Sequence, residues 1–423
     1  MKEDHNTDIF PKQFFWGAST AGHQVEGGNH NQWSEWEKQN AKQLAQTAHQ
    51  RLGWLPNWPE IKRFAEEERN YISGKGVEHY QRYEADFDII KKLNLNAFRF
   101  GIEWSRIEPR ESEWDEVEIA HYREYIAQLR ARGIEPFANI WHWTMPVWFA
   151  AMGGFARRSN LKYFERFVQK LADELVDDLG YIITLNEPNV YASFGYLSGE
   201  WVPNEKKPLK FLHVYRNLYI AHRRAYRILK AAKPSLQIGI AQQLGNIQAK
   251  RPHNFIDQTS TRWMRYFWNW WFVNRIRKQQ DFVGINYYFT DYYTGAAKKV
   301  NPSVPVNDLG WYMEPEGLYP LMLSAWERYK KPIIITENGL ADAKDEYRRW
   351  WLEETIVAME RALSEGVEVR GYLHWSLLDN FEWKYGWWPR FGLVEVDRKT
   401  MKRTIRPSAK WFAERIKDIT ESS

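Results

Sequence analysis

The sequence predicts an α/β fold in which a single domain of eight parallel strands and intervening helices closes into a (β/α)8 TIM barrel. Short β-branched or aromatic runs alternate with longer amphipathic stretches along the 423 residues. Several of the short runs are almost continuously apolar, which is typical of strands buried on both faces. No Gly-rich phosphate loop follows the first strand, which disfavours the rival open, doubly wound sheet.

Eight segments have the length and apolar character of buried strands. Consecutive parallel strands need a crossover helix to return the chain in the same direction, and the spacing between the segments allows one each time. The predicted strands are Phe14–Thr20, Asn96–Trp104, Glu135–Trp143, Tyr181–Asn186, Gln237–Leu244, Phe282–Tyr288, Pro332–Glu337 and Val369–Trp375.

Helical periodicity fills the intervals between the predicted strands. Apolar residues recur every three or four positions and stop before a glycine in Ile119–Leu129, Leu161–Leu175 and Leu352–Leu363. A longer pattern, Phe211–Lys233, stops at Pro234. The stretch 31–77 fits the alternation poorly, so we expect an elaborated loop with short helices after the first strand. No linker or repeat marks a boundary, and residues 1–423 are therefore expected to form one domain.

The composition excludes several classes of function. The net charge is only +5, from 59 basic and 54 acidic residues, which does not indicate nucleic acid or an anionic membrane as a partner. The absence of cysteine excludes disulfides, thiolate catalysis and cysteine-bound metals. The first residues contain no apolar run typical of a signal peptide, and no stretch is long enough to span a membrane. We therefore expect a soluble, cytoplasmic protein.

Aromatic residues are abundant, with 24 Trp, 23 Tyr and 22 Phe. Flat apolar faces with a polar edge suit the C–H faces of sugar rings and also suit nucleic-acid bases. The weak net charge disfavours bases. An aromatic-rich core is the alternative interpretation of the same composition.

Polar side chains cluster at the carboxyl ends of the predicted strands, where barrels of this kind carry their chemistry. Buried charges are costly unless they are paired or line a cleft, so their convergence predicts a site. The residues concerned are Gln24, Glu26, Arg99, Glu103, His142, Asn186, Glu187, Asn286, Glu337, His374 and Glu382.

Two carboxylates, Glu187 and Glu337, are the centre of the functional prediction. They lie on the fourth and seventh strands, and barrel closure would bring both to one rim. Two carboxyl groups facing a sugar are the working parts of a glycosidase. A lone Glu is more often a solvated charge or a helix cap. Metal-dependent hydrolysis is the other alternative, but His142 and His374 show no recognised ligand spacing, and we expect no metal.

Seven segments resemble, in the same order, those of glycoside hydrolase family 1, the retaining β-glycosidases of the β-glucosidase and β-galactosidase type. They cover nearly the whole chain. The segments are 15–27, 99–107, 142–146, 184–188, 286–288, 335–339 and 375–393, the last beginning Trp-Ser-Leu-Leu-Asp-Asn-Phe-Glu-Trp.

The resemblance implies a role for each matching position. Glu187 would be the acid/base, Glu337 the nucleophile, and Arg99 and Tyr288 the groups that hold and tune the nucleophile, with no metal or cofactor required. The substrate would be a small-molecule or oligosaccharide β-glycoside, most readily a β-glucoside, with β-galactosides and β-fucosides as alternatives. The substrate-binding residues implied are Gln24, His142, Trp143, Asn186, Asn286, Trp375, Glu382, Trp383 and Phe391.

Other functions on the same scaffold remain open at this stage. A transglycosidase would use the same residues, and a non-catalytic sugar-binding module would be expected to lack one of the carboxylates. A 6-phospho-β-glycosidase is disfavoured because a carboxylate at Glu382 would repel a phosphate dianion.

The chain departs from the family pattern at the expected leaving-group end. The connection between Leu244 and Phe282 is short, and Trp387 stands where relatives often have Tyr. The aromatic run Trp263–Trp271 either replaces part of the missing loop or packs on the barrel, and packing is the preferred interpretation. We expect a more open leaving-group site.

Overall fold

The computed structural model describes residues 9–295, 297–299 and 303–422 and has a closed barrel of eight parallel strands at its centre. Strand β1 closes the ring against β8, with Phe15 opposite Gly371 and Ser19 opposite Trp375. The predicted (β/α)8 barrel is confirmed. The strands are β1 (Phe15–Ser19), β2 (Ala97–Gly101), β3 (Glu135–Asn139), β4 (Tyr181–Asn186), β5 (Gln237–Gln243), β6 (Val283–Tyr287), β7 (Ile333–Asn338) and β8 (Val369–Trp375).

Sixteen α-helices in the described ranges surround the barrel or decorate its connections. They are α1 (Gly22–Val25), α2 (Gln32–Gln46), α3 (Ala48–Leu52), α4 (Trp58–Ala65), α5 (His79–Lys92), α6 (Trp104–Ile107), α7 (Glu116–Ala131), α8 (Val147–Ala151), α9 (Leu161–Leu175), α10 (Pro188–Ala192), α11 (Pro208–Ala232), α12 (Phe255–Arg265), α13 (Trp271–Ile276), α14 (Leu318–Tyr329), α15 (Arg348–Ser364) and α16 (Pro407–Ser422).

Three of the four helical patterns of the sequence fall within α7, α9 and α15, and the fourth, Phe211–Lys233, lies in α11 except for Lys233, which follows its last residue. Helix α7 begins where the side chain of Asp115 accepts hydrogen bonds from the backbone N–H groups of Val117 and Glu118, at 3.0 and 3.1 Å. It ends before Gly133, whose φ of +67° is a conformation that side chains disfavour. Capping and a buried apolar stripe together explain why such segments are helical.

Two strands end several residues before their predicted bounds, whereas the other differences amount to one residue at an end. Strand β2 ends at Gly101, where Trp104 already begins α6, and β3 ends at Asn139. The predicted ends at Trp104 and Trp143 were wrong because the apolar run continues through a buried loop, which periodicity cannot distinguish from a strand. The loop is held by Gln32, whose side chain donates to the Trp143 carbonyl at 2.8 Å and accepts from the Met145 N–H at 2.6 Å.

The connection after β1 contains helices α2, α3 and α4 and a short 3-10 turn, Glu68–Tyr71. Asn31 and Ser34 cap α2 reciprocally, each side chain bonding the other's backbone N–H at 3.0 Å. Trp33 on this helix packs against Trp383, at 4.7 Å between ring centroids. The connection therefore covers part of the barrel mouth.

Short strands outside the barrel complete the described fold. Asn246–Ala249, Thr290–Thr294 and Ala297–Lys299 form one small sheet, and Val394–Val396 pairs with Arg403–Ile405. No helix in the described ranges is long and apolar enough to cross a membrane. The first eight residues, on which the expectation of no signal peptide rests, lie outside the described part of the chain.

The barrel interior is filled with apolar side chains at its amino-terminal end. The layer consists of Phe15, Ala97, Phe137, Tyr181, Ile183, Ala241, Phe282, Ile334 and Leu373. Side chains two positions apart on a strand point to the same face, so the residues that follow this layer also face the barrel axis. Those next positions are where polar residues begin.

Candidate active site

Arg99 shows how the strands deliver polar side chains to the barrel axis. It follows the apolar layer residue Ala97 by two positions on β2, and its side chain is completely buried. Asn186, Asn286 and Glu337 occupy the corresponding ends of β4, β6 and β7 and are also buried. The barrel therefore brings these four polar residues together at the carboxyl ends of its strands.

Irregular pairing occurs at both strands that carry the carboxyl groups. The register between β4 and β5 shifts between Ile183 and Asn186, and that between β7 and β6 shifts between Ile335 and Glu337. An extra residue in one strand bends it and re-aims the side chains that follow. These shifts set the directions in which Asn186, Glu187 and Glu337 enter the pocket.

Glu337 is held by two donors. The guanidinium of Arg99 pairs with Oε1, and the hydroxyl of Tyr288 donates to Oε2 at 2.6 Å. The two contacts fix the positions of both carboxylate oxygens. Burial and the negative charge of Glu337 raise the pKa of Tyr288 well above 10, so its hydroxyl keeps the proton it donates.

Glu187 occupies a different electrostatic environment. It has left-handed backbone dihedrals, with φ at +41° and ψ at +60°, and Pro188 begins α10 directly after it. Burial and then the charge of Glu337 raise the pKa of the Glu187 carboxyl well above 4.5, although a hydrogen bond from Asn286 and the charge of Arg99 oppose the rise. The pocket therefore favours the protonated form of Glu187.

Asn186 and Asn286 connect the two carboxyl groups. The Nη2 of Arg99 lies 2.7 Å from Oδ1 of Asn186, and Nδ2 of Asn286 lies 3.2 Å from the same oxygen. Nδ2 of Asn286 also lies 2.8 Å from Oε1 of Glu187. A continuous chain of hydrogen bonds thus runs from Glu337 through Arg99, Asn186 and Asn286 to Glu187.

His142 lies beside this chain, in the loop after β3. Its Nε2 is 2.9 Å from the amide nitrogen of Asn186, which donates to it. Burial and the charge of Arg99 lower the pKa of His142 well below 6.5, so the ring is neutral. Nδ1 then carries the proton, and it has no hydrogen-bond partner among the described residues. This N–H is available to a ligand.

Gln24 and Glu382 also present polar atoms without partners. Gln24 donates through Nε2 to the carbonyl of Phe381 at 2.6 Å and to Oδ1 of Asn380 at 3.0 Å. Oε1 of Gln24 has no hydrogen-bond partner within the described residues, and neither has Oε2 of Glu382. Buried polar atoms are nearly always satisfied in folded proteins, so a group of open ones at one mouth points to a polar ligand.

Glu382 differs from the sequence expectation in its charge. Burial and then the charge of Glu337 raise its pKa to about 8, against a lowering effect of Gln24. At pH 7 the carboxyl is therefore mostly protonated, and it can donate as well as accept a hydrogen bond. The expectation of a charged carboxylate at Glu382 is thus wrong, because burial favours its neutral form.

The aromatic rings of the mouth form a connected wall. Trp383 lies parallel to His142 at 6.0 Å between centroids, and Trp143 packs against it at 4.8 Å. Trp375 is 5.8 Å from His142. A Cβ at Gly339, two residues after Glu337, would come within 1.8 Å of the Trp375 carbonyl. Only glycine permits this close approach of β7 and β8.

Similarity to known proteins extends over nearly the whole chain. The family model described as Glycosyl hydrolase family 1 matches residues 6–278 and 273–420. The chain belongs to glycosyl hydrolase family 1. It is 30% identical to Beta-glucosidase A of Thermotoga maritima, over 98% of this chain and 99% of that relative. The prediction of a β-glucosidase-like glycoside hydrolase is thereby confirmed.

Solved structures of family 1 glycosidases have the same fold. A β-glycosidase from Pyrococcus horikoshii has a TM-score of 0.85 and 33% identity, covering 98% of this chain and 95% of its own. A β-glucosidase from Thermotoga maritima in complex with deoxynojirimycin has a TM-score of 0.85 and 28% identity, covering 97% of this chain and 99% of its own.

Several residues of this family 1 site contact other residues of the site and hold their side chains in place. Phe391 is almost fully buried, and its ring packs against Tyr288 at 6.2 Å and Trp311 at 6.1 Å. The hydroxyl of Thr336 donates to Oδ1 of Asn286 at 2.6 Å, which turns the amide nitrogen of Asn286 toward Glu187. The roles of Thr336 and Trp311 are not predictable from the sequence, because neither residue lies in a local pattern that marks it.

The aromatic run of the β5–β6 connection was expected either to pack on the barrel or to replace part of a missing loop. Its two ends behave differently. Trp270 is buried, and Trp271 stacks on Tyr215 at 4.7 Å, so this end packs on the barrel. The indole N–H of Trp268 donates to Gln243 at the end of β5. Trp263 and Phe267, by contrast, are exposed. No group of three or more His, Asp or Glu side chains among the described residues is arranged to hold a metal ion.

Proposed function

We propose that this family 1 enzyme hydrolyses terminal β-D-glucosyl residues with retention of configuration, with Glu337 as the nucleophile and Glu187 as the acid/base. The observation that carries the proposal is that two carboxyl groups of one pocket have different surroundings. Arg99 and Tyr288 donate to Glu337, while burial and the Glu337 charge raise the pKa of Glu187. Two carboxyl groups whose environments differ in this way are typical of an acid and a nucleophile.

In the first step of this proposal, an oxygen of Glu337 forms a bond to the anomeric carbon. The bond from that carbon to the glycosidic oxygen breaks, and its electron pair stays on the oxygen. Glu187 transfers its proton to the same oxygen, so the leaving group departs as a neutral alcohol. The side chain of Asn186 can bond the 2-hydroxyl as positive charge develops on the ring.

In the second step, the loss of the Glu337 charge reverses the role of Glu187. Burial and the charge of Glu337 both raise the pKa of Glu187, and the ester bond to the sugar neutralises Glu337, so the second of these causes is removed and the pKa of Glu187 falls. Glu187 can then take a proton from water as the water oxygen bonds to the anomeric carbon. The ester bond breaks, and the carboxylate of Glu337 returns to Arg99.

Neutral sugar hydroxyls suit the open polar atoms of the mouth. Oε1 of Gln24, Oε2 of Glu382 and Nδ1 of His142 lack partners within the described residues. Relatives of this chain are named β-glucosidase and β-galactosidase, which supports a hexose that differs in at most one hydroxyl orientation.

Among the described residues, the basic side chain that follows Glu382 most closely in the sequence is already paired, which makes it less available to a sugar 6-phosphate. Lys384, the basic residue closest in sequence to Glu382, forms an ion pair with Glu200. The proposal that unphosphorylated glycosides are cleaved therefore rests on this pairing rather than on a charge at Glu382. A 6-phosphorylated nitrophenyl glucoside cleaved faster than its plain counterpart would contradict it.

The decisive experiment measures the anomeric configuration of the first product. Proton NMR during cleavage of a nitrophenyl β-glucoside should show the β anomer of glucose first, followed by slow mutarotation.

A second experiment tests the nucleophile. A 2-deoxy-2-fluoro-β-glucoside with a dinitrophenyl leaving group should add one fluoroglucosyl mass to the protein, and the adduct should be absent in Glu337→Gln. The α anomer appearing first would contradict retention, and glycosyl transfer exceeding hydrolysis in dilute acceptor would favour the transglycosidase.

We also keep the cytoplasmic location as a proposal, because the cysteine-free composition suits a reducing compartment. Fractionation of source cells, with activity on the nitrophenyl glucoside as the marker, tests it.

A further inference from the structure

Strand β4, which ends directly before Glu187, contains one extra residue relative to its neighbour. Between Ile183 and Asn186 it advances three residues, whereas its partner β5 advances two. The extra residue therefore falls at Thr184 or Leu185. An insertion of this kind leaves part of the ladder unpaired and bends the strand, so the segment gains from contacts made by its side chains.

The extra residue decides which side chain of β4 enters the site. Ile183 belongs to the apolar layer inside the barrel, and regular alternation would next turn Leu185 inward and Asn186 outward. Leu185 instead belongs to the larger apolar core that contains the surrounding helices, and Asn186 lies 2.7 Å from Arg99 in the pocket. The direction in which Glu187 leaves the strand therefore depends on this irregular segment.

Thr184 anchors the irregular segment to a helix outside the barrel. Its Oγ1 lies 2.6 Å from Nδ1 of His222 on α11 and 3.4 Å from the carbonyl oxygen of Gly239 on β5. Nε2 of His222 lies 2.6 Å from the carbonyl oxygen of Gln279, in the connection that leads to β6. Thr184 and His222 are both completely buried. His222 therefore connects β4 with the segment before β6.

The chemistry of these groups fixes the direction of each hydrogen bond of His222. A carbonyl oxygen can only accept, so Nε2 of His222 carries a proton and donates to Gln279. Burial, opposed by this bond to Gln279, lowers the pKa of His222 to about 4, so the ring is neutral at pH 7. Nδ1 then has no proton and accepts from the hydroxyl of Thr184. That hydroxyl has a single proton, which explains why its contact with Gly239 is long.

The position of Glu187 depends on its backbone more than that of Glu337 does. Glu337 receives donors on both carboxylate oxygens, from Arg99 and Tyr288. Within the described residues, Asn286 is the one side chain that hydrogen-bonds the Glu187 carboxyl. A displacement at the end of β4 should therefore affect Glu187 more than Glu337.

We propose that His222 is a positioning residue for the reaction, which holds Glu187 within reach of the glycosidic oxygen through the hydroxyl of Thr184. It acts from outside the barrel, through the irregular segment of β4. A general acid must lie within hydrogen-bond reach of the oxygen that it protonates, and a misplacement of about 1 Å can cost about a hundredfold in rate. The inference rests on the proposed function, because it concerns delivery of the proton from Glu187.

Thr184→Val tests the proposal with little change of shape. Valine keeps the branched Cβ and removes the hydroxyl, so Nδ1 of His222 loses its donor. We expect a loss only where Glu187 must deliver a proton. kcat/KM on methyl β-glucoside should fall about tenfold to a hundredfold, while the first step on the dinitrophenyl glucoside should change by less than about twofold.

Two further substitutions separate the hydroxyl from the imidazole. Thr184→Ser keeps a hydroxyl that can donate to His222, so it should retain most of the activity on methyl β-glucoside. His222→Leu removes the acceptor and should show the same selective loss as Thr184→Val. Equal losses on the two glucosides in Thr184→Val and His222→Leu, or no loss on methyl β-glucoside, would overturn the proposal.

The matched control is a second buried histidine. His79 on α5 has ring nitrogens 2.8 Å from Asp86 and 2.8 Å from Tyr125, neither of which belongs to the site. His79→Gln should lower the urea midpoint through lost buried hydrogen bonds and leave the ratio of the two rates unchanged. A change of that ratio as large as in Thr184→Val would count against a specific role of His222.

Glu187→Ala shows which of the two proposals has failed. If Glu187→Ala loses activity selectively on methyl β-glucoside and Thr184→Val does not, the positioning role of His222 is wrong and the proposed function stands. If Glu187→Ala shows no selective loss, the acid role of Glu187 fails, and the role of His222 fails with it.

Discussion

The side-chain nitrogen of Asn286 lies 2.8 Å from Oε1 of Glu187 and 3.2 Å from Oδ1 of Asn186. One amide group on β6 therefore contacts the proposed acid/base and its neighbour on β4 at the same time. The hydrogen bond from Thr336 to the other end of the amide orients it. Asn286 is thus placed to tune the acidity of Glu187 without being a proton donor in the reaction itself.

Substitution of Asn286 should move the alkaline limb of the pH profile. Its hydrogen bond lowers the pKa of Glu187, so Asn286→Ala should raise that pKa and shift the alkaline limb of kcat/KM to higher pH. We expect kcat to fall about tenfold or more, because a hydrogen bond to a charged or charging group is lost. Thr336→Val removes the hydrogen bond that orients this amide, so it should shift the limb in the same direction by a smaller amount. An alkaline limb that stays in place in Asn286→Ala would contradict the assigned contact.

Removal of the Glu187 carboxyl should have an effect that depends on the leaving group. Glu187→Ala should lower kcat/KM on methyl β-glucoside by about a hundredfold to ten-thousandfold, since a poor leaving group needs the proton. The dinitrophenyl glucoside needs none, so its first step should be spared. Steady-state and pre-steady-state rates on the two substrates make the comparison. Equal losses on both would contradict the acid role.

Loss of the Arg99 cation should destabilise the fold through Glu337. Arg99 is completely buried, and Arg99→Met would leave a buried carboxylate without its charge partner. We expect about 3–5 kcal/mol less free energy of unfolding. Adding Glu337→Gln removes the unpaired charge, so the double variant should recover part of that loss. Urea unfolding of the two single variants and the double variant measures the coupling, and simple additivity would count against a buried ion pair.

The burial of Glu382 should make folding less favourable as the pH rises. Its pKa is raised from 4.5 in the unfolded chain to about 8 in the folded protein, so the folded state binds a proton more tightly. The associated stability is fully present below pH 4.5 and is lost as the pH rises toward about 8.

Glu382→Gln should therefore gain unfolding free energy relative to the original protein across that window. Glu395→Gln, at an exposed position in the strand Val394–Val396, provides the matched control and should show no such trend. Urea midpoints measured at both ends of the window decide the matter. A difference between Glu382→Gln and the original protein that does not grow with pH would contradict the raised pKa.

The barrel and its strand ends could be predicted because their signals are local. Strands β4 and β8 have the predicted bounds, since in both the apolar run stops where the backbone leaves the sheet. The convergence of Arg99, Glu187 and Glu337 follows from barrel closure alone. Strand β3 was predicted too long because the loop that carries His142 is as apolar as a strand.

The support for the site could not be predicted, because it depends on contacts between residues far apart in the chain. Thr336 orients Asn286 from the neighbouring strand, and Asn380 holds Gln24 across the mouth. The register shifts at Asn186 and Glu337 leave no mark in hydrophobic periodicity. The protonation of Glu382 likewise depends on burial by Trp-rich loops rather than on its sequence neighbours.

The hydrogen bonds that join Glu337, Arg99, Asn186 and Asn286 draw on both halves of the polypeptide. If the chain were divided between β4 and β5, one fragment would keep Arg99 and Asn186 while the other kept Asn286 and Glu337. Each piece would carry an uncompensated ion into its own interior, so neither half-barrel should persist alone. The two fragments should instead reassemble when mixed, because the ion pair and hydrogen bonds of the site form only between them.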